Sequence, residues 1–325
     1  MQSIAPDGSF LLASANPPLP ADGSSNIADK PTKLIMVDLP SLHAHDVATP
    51  AKAGVIPYGA RIAENWIVWA QAPQEPGFFS DWELYAYNRA DSSIKQLAKA
   101  THNKDGLPVL GSDGSPVIDH GIVVWVEAVA DVGQPYQNTI KALDLASGQS
   151  RALSTSGFAP RISWPYVAWI ELRDLPTTTN PPTTPAQHTA VIVVLDLQHG
   201  TKTELVKPDR PVEFALYQDA IAWIGTKRDR ITLTNVAETV VQALPLGRPS
   251  TGFEQMTMND RLVTWLGGEQ TQVWDRRKNE LVTLGPHPSS GGQFVTNHYL
   301  VWFEQHDFSP QGSATANILD TAKLP

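Results

Sequence analysis

Short apolar runs of four to seven residues recur along the whole chain, and most do not alternate with polar positions. Ile122-Val123-Val124-Trp125-Val126 is one such run, and Ala190-Val191-Ile192-Val193-Val194-Leu195 is another. Runs this short and this rich in Val, Ile and Trp predict strands. A strand without alternation belongs to a sheet covered on both faces, because both sets of side chains must then leave water. Tight-turn pairs bound the runs: Asp7-Gly8, His120-Gly121, Ser147-Gly148 and Asn259-Asp260. Such pairs reach the backbone angles that a hairpin turn requires.

The runs are organised into repeats. An apolar run ending in Trp is followed by a loop, a second run ending near Asp-Leu, a Gly or Asn, and a third run. Residues 116–128 with 139–153 form the clearest copy. Ile67-Val68-Trp69, Val167-Ala168-Trp169, Ile221-Ala222-Trp223, Leu262-Val263-Thr264-Trp265 and Leu300-Val301-Trp302 mark five more. A seventh copy has Leu12 where the others have Trp, with 33–39 as its next run.

Each copy reads as four strands, and repeats of about 40 to 50 residues suit the four-stranded blades of a β-propeller, each sandwiched between neighbours. The expected fold is therefore all-β: one domain over 1–325 with blades near 1–49, 61–98, 117–154, 161–206, 213–244, 255–284 and 294–321. The last copy stops before a fourth strand, so the final blade is either incomplete or closed by the other terminus. Seven blades are expected; six plus a composite one is the alternative.

Pro6-Asp7-Gly8 followed by Phe10-Leu11-Leu12, and Asp144-Leu145-Ala146-Ser147-Gly148 after Ile140, resemble the short repeats of TolB-like, WD40-like (PD40-type) propellers. The resemblance spans nearly the whole chain and implies a fold, not an activity. It implies an extracytoplasmic binding or sensor module, in a group that also includes propellers attached to peptidases. No functional residues carry over, because none of the group's catalytic motifs is present.

Composition narrows the partners. Lys and Arg number 24 against 33 Asp and Glu, a net charge of -9, which argues against nucleic acid, since its binders concentrate positive charge. There is no Cys, so disulfides and thiolate chemistry are absent. No apolar run approaches the roughly 20 residues of a membrane-spanning helix. Residues before Lys30 carry no Lys or Arg and lack the pattern of a signal peptide. A monomer without a cofactor is expected.

Function is expected where the loops are long. In a propeller the connections from second to third strand share one face with the segments between blades. Here 16–32, 71–81, 128–138, 172–188 and 305–314 are long, and the inter-blade segment 99–115 joins them. Phe78, Phe79, Trp82, Tyr136, His306, Asp307 and Phe308 on these loops are the candidate contacts for a protein, peptide or glycan, exposed aromatics being efficient anchors. Side chains tucked onto their own blades are the alternative.

Glu127, Glu171 and Glu304 each follow a repeat Trp by two residues, on the same strand face. They are the weak candidates for a carboxylate site of a hydrolase or lyase, against the simpler reading as caps or surface charges. That enzyme requires the carboxylates to converge. His43 and His45 have same-face spacing that could hold a metal, but on an outer strand they read as ordinary exposed residues, and no metal site is assigned. Ser112-Asp113-Gly114 reads as a loop turn.

Overall fold

The computed structural model describes every residue apart from 1–2, 6–7, 16–31, 53, 74–79, 113, 130–136, 174–188, 206–209, 238, 247–252, 268–269, 285–292, 297, 306–313 and 325. Seven antiparallel sheets follow one another along the chain, six of four strands and the last of three among the described residues. A short 3-10 turn at Thr321–Lys323, capped by the Asp320 side chain, is the only helix among them.

The first sheet holds β1 (Ser3–Ile4), β2 (Phe10–Ala15), β3 (Lys33–Asp38) and β4 (Ala44–Ala48). The second holds β5 (Val55–Ala63), β6 (Trp66–Pro73), β7 (Glu83–Asn88) and β8 (Ser93–Lys99). The third holds β9 (Val117–Asp119), β10 (Ile122–Val129), β11 (Gln137–Asp144) and β12 (Ser150–Ser154). In each, neighbours in sequence are neighbours in the sheet. The other four sheets lie within 157–205, 211–245, 253–284 and 293–320.

Two compact units make up the chain. Met1–Ala5, Ser9–Pro160 and Trp169–Thr189 form one; Pro6–Gly8, Arg161–Ala168 and Ala190–Pro325 form the other. In the first unit the unbroken apolar run of β6 has a direct cause. Ile67 and Trp69 pack with Leu12, Leu34, Ala60 and Ile62 toward the first sheet. Val68 faces the other way, in a cluster with Trp82, Leu84, Val123 and Trp125 that reaches the third sheet. Alternate residues of one strand thus serve two different cores, each fully buried side chain contributing about 1.5–3 kcal/mol. In the second unit, Ile231 and Leu233 meet Met256, Val263, Trp265 and Trp274 in the same manner.

Outer strands behave differently. β8 exposes its first four residues and β4 its first three, so each sheet grades from a buried interior to a polar rim. The register of the second sheet fixes its two ends. Val55 pairs with Pro73 and Glu83 with Lys99, so the connector into β5, the β6–β7 connection and the segment leaving β8 emerge together at one end. The tight turn at Glu64 and Asn65 closes the opposite end, with Glu64 at φ 47.

Candidate functional site

At the loop end of the second sheet, cross-strand pairing brings two residues of β6 opposite two of β7. Trp69 lies opposite Tyr85 and Gln71 opposite Glu83. The Trp69 and Tyr85 rings stack, with centroids 5.5 Å apart and an interplanar angle of 16°. Gln71 Nε2 donates to Glu83 Oε2 at 3.0 Å, and the Tyr85 hydroxyl donates to the same oxygen at 2.8 Å. Burial, followed by the hydrogen bond to Glu83 and its charge, pushes the Tyr85 phenol up to about 12. These groups line a cavity of about 420 Å³, whose other wall is the connector carrying Thr49, Pro50 and Lys52. Asp81 stands at its edge, 3.1 Å from His102 Nε2.

His102 belongs to the segment after β8, which folds into a compact loop rather than a loose strap. Asn103 Oδ1 accepts from the backbone N–H groups of Asp105 and Leu107, and Val109 N–H donates to the Thr101 carbonyl. Thr101 Oγ1 donates to Glu127 Oε1 at 2.7 Å, and Ser112 Oγ donates to the Val126 carbonyl. Gly114, at φ +63, lies so close to Trp82 that a Cβ there would sit 2.3 Å from the indole ring. Loop 101–114 is therefore pinned from beneath by Trp82 and held at its edges by β10. On its surface it presents Leu107 and Leu110, each 62% exposed.

No protein-family model matches the chain, and no curated protein sequence does. Solved structures do. An oligogalacturonate lyase in complex with manganese superposes with a TM-score of 0.60 at 10% identity, over 98% of this chain and 88% of that one. The β-propeller domain of the Trilobed protease from Pyrococcus furiosus gives 0.59 at 10% identity, over 89% and 86%. Hsv2 from Kluyveromyces lactis gives 0.55 at 9%, over 98% and 96%. The fold is that of a β-propeller. At such identities the likeness carries the architecture and nothing about chemistry.

Within this propeller, Trp82 is 1% exposed and belongs to the core beneath the loop, not to its surface. Glu127 is engaged by Thr101, with Lys141 Nζ 3.7 Å away. Glu171 accepts from Trp169 Nε1 at 3.0 Å and from Ser154 Oγ at 2.9 Å. Glu127 thus ties its strand to the segment after β8, and Glu171 ties its own to the end of β12. Phe78, Phe79, Tyr136, His306, Asp307 and Phe308, and the side chain of Glu304, lie outside the described residues.

His45 sits on exposed β4 and His43 just before it, with ring centroids 6.4 Å apart. At the opposite end from the cavity, Glu64, Asp119 and His120 place ligand-type atoms within 4.8 Å of one another on exposed turns. His120 Nδ1 is 2.9 Å from Asp119 Oδ1, a hydrogen-bonding contact between neighbours in the chain that accounts for the cluster.

The cavity residues and the two exposed leucines were not among the sequence candidates. Their signal is present all the same: Trp69-x-Gln71 faces Glu83-x-Tyr85, two same-face pairs flanking a loop. Only the register of β6 against β7 turns those four residues into one site.

Proposed function

We propose that this propeller is a non-catalytic binding or sensor module that engages a protein, peptide or glycan through the end bearing the long second-to-third strand loops. The observation that carries the reading is the cavity of about 420 Å³ at that end, with a stacked Trp69–Tyr85 wall and a carboxylate held by two donors. A ligand site of this size with a few placed polar groups is the usual form of small-ligand or side-chain recognition. The adjoining loop adds Leu107 and Leu110, apolar groups displayed on a rigid support, which suits contact with a larger partner. Phe78 and Phe79, which follow β6 in sequence, are the aromatic contacts of this reading. The resemblance of the repeats to TolB-like propellers supports the same reading.

The competing reading, a hydrolase or lyase, draws on the neighbour that is an oligogalacturonate lyase. The hydrogen bonds of Glu127 and Glu171 weigh against it, since both carboxylates already serve as structural ties. Screening the wild-type chain on peptide and glycan arrays, beside a variant with Phe78, Phe79, Leu107 and Leu110 all changed to Ser, tests the binding reading. Capture by wild type that the variant loses is the expected result. Equal capture by both, with the same melting temperature, removes this end of the molecule from consideration.

A further inference from the structure

The cavity at the loop end of the second sheet is built to accept donors, and its Glu83 carboxylate is met by no ion pair among the described residues. Glu83 Oε2 takes both hydrogen bonds from within the protein, one from Gln71 and one from Tyr85. A carboxylate has roughly four lone-pair positions, so Oε1 retains its full accepting capacity. Glu83 forms no ion pair among the described residues. Lys99, its Cα partner on β8, is exposed and does not line the cavity. Asp81 adds a second carboxylate, with His102 Nε2 3.1 Å away. Lys52 is the sole Lys or Arg among the lining residues; it is exposed and lies on the opposite wall. The lining is completed by an aromatic surface: Tyr85, stacked on Trp69 on one side, is half-buried and borders the open space.

A carboxylate with open lone pairs, a second carboxylate at the edge and an aromatic ring beside them are the three elements that recognise an organic cation. An anionic ligand would meet Asp81 and Glu83 together. The excess of acidic over basic groups, 33 against 24, gives the whole chain the same sign and favours the approach of a positive partner. We propose that this cavity takes the cationic side chain of an arginine or lysine in a partner polypeptide, held by Glu83 and Asp81 against the Tyr85 ring. The proposal rests on the reading of the loop end as a binding surface and names which of its ligand classes the cavity selects. In it Lys52, exposed on the opposite wall, carries the same charge as the ligand and opposes its entry.

Calorimetric titration of the full chain with a blocked Gly-Arg-Gly peptide, its Lys and citrulline counterparts and a neutral disaccharide tests this. Citrulline keeps most donors and the shape of arginine but lacks the charge. The expected result is saturable binding of the Arg and Lys peptides, with the citrulline peptide weaker by about tenfold or more, the scale of a charge-assisted hydrogen bond. Glu83→Gln lowers affinity for the Arg peptide by a similar factor, while Lys52→Ala raises it, a pair of opposite signs that a folding defect cannot produce. Several results overturn the proposal: equal binding of Arg and citrulline peptides, affinity untouched by Glu83→Gln, loss rather than gain with Lys52→Ala, or no binding of any peptide at millimolar concentration. Saturable binding of the disaccharide alone would refute the cationic ligand and leave the binding reading of this end standing. Array capture indifferent to the loop substitutions would refute that broader reading as well.

Discussion

Gly114→Ala probes how the loop beside the cavity is held. Two costs arise together. The residue has φ +63, a region that an L side chain enters at roughly 1–2 kcal/mol. The new Cβ would also stand 2.3 Å from the Trp82 ring, which is itself locked in the core and cannot retreat. Overpacking of that kind costs about 1–3 kcal/mol. The sum, about 2–5 kcal/mol, exceeds what a surface loop ordinarily has to lose, so it is met by detachment of 101–114 from Trp82.

Hydrogen exchange reads this directly. The Ala100 N–H, bonded to the Trp82 carbonyl, and the Val109 N–H, bonded to Thr101, should exchange roughly thirtyfold faster or more, by the relation of 1.4 kcal/mol to each factor of ten. Gly121→Ala separates the two terms: its φ is +71, but nothing lies within 4 Å of the added Cβ, so only the conformational cost applies. Equal effects of the two substitutions, or unchanged exchange at Ala100 and Val109 in the Gly114 variant, would show that the Trp82 contact does not hold the loop.

Other tests address charge and the second unit. Tyr85, pushed up to about 12 mainly by burial and then by Glu83, should be a late-titrating phenol; Glu83→Gln should bring its ultraviolet titration to lower pH, and Tyr85→Phe should remove it. Asp275 is pushed up by burial, but hydrogen bonds from Arg261 and from the Lys278 and Arg277 backbone outweigh this and hold its carboxyl below the usual range. Its stabilisation is thus present above the unfolded carboxyl value and is lost as pH falls through the folded one; denaturation followed from neutral to strongly acid pH should lose this component in Asp275→Asn. Removing the partner, Arg261→Ala, strands that carboxylate in a site where Arg261 also donates to the Leu324 carbonyl, and should cost about 3–5 kcal/mol in urea unfolding. Glu213 has the opposite sign: burial raises its carboxyl despite Arg161, so its contribution is greatest at acid pH and is lost as pH rises through the folded value, a slope that Glu213→Gln should remove.

The repeat was legible because its marker is a consequence of the architecture. A strand between two cores is driven to apolar residues on both faces along its buried stretch, and Trp69, Trp125, Trp169, Trp223 and Trp265 all fall on such strands. Trp82 shows where reading by residue type misleads. An aromatic in a long connection suggests a contact surface, yet Trp82, Leu84 and Ala86 are buried while Glu83, Tyr85 and Tyr87 face outward in part. The period of two assigns Trp82 to the inner set. The bond from Trp169 to Glu171 follows from their same-face spacing of two, but Thr101 and Ser154, which bond Glu127 and Glu171, stand 26 and 17 residues away, where no local rule finds them. Gln71 and Glu83 are ordinary polar residues until the strand register pairs them.

The Trp69 position also bears on how a repeated fold acquires a site. In the fourth sheet the indole N–H of Trp169 is satisfied by Glu171, two residues along the same strand. In the second sheet the corresponding Gln71 has turned to Glu83, and Trp69 Nε1 is buried without a partner among the described residues. An unmet buried donor costs about 1–3 kcal/mol. Trp125 Nε1, at the same position of the third sheet, is likewise buried without a partner among the described residues, so the tie at Trp169 belongs to its own blade and not to the repeat. What the repeat fixes is thus the buried Trp itself, and the residue two places on is left to each blade: an acceptor for the indole in the fourth, a tie to the preceding segment in the third, a wall of the cavity in the second.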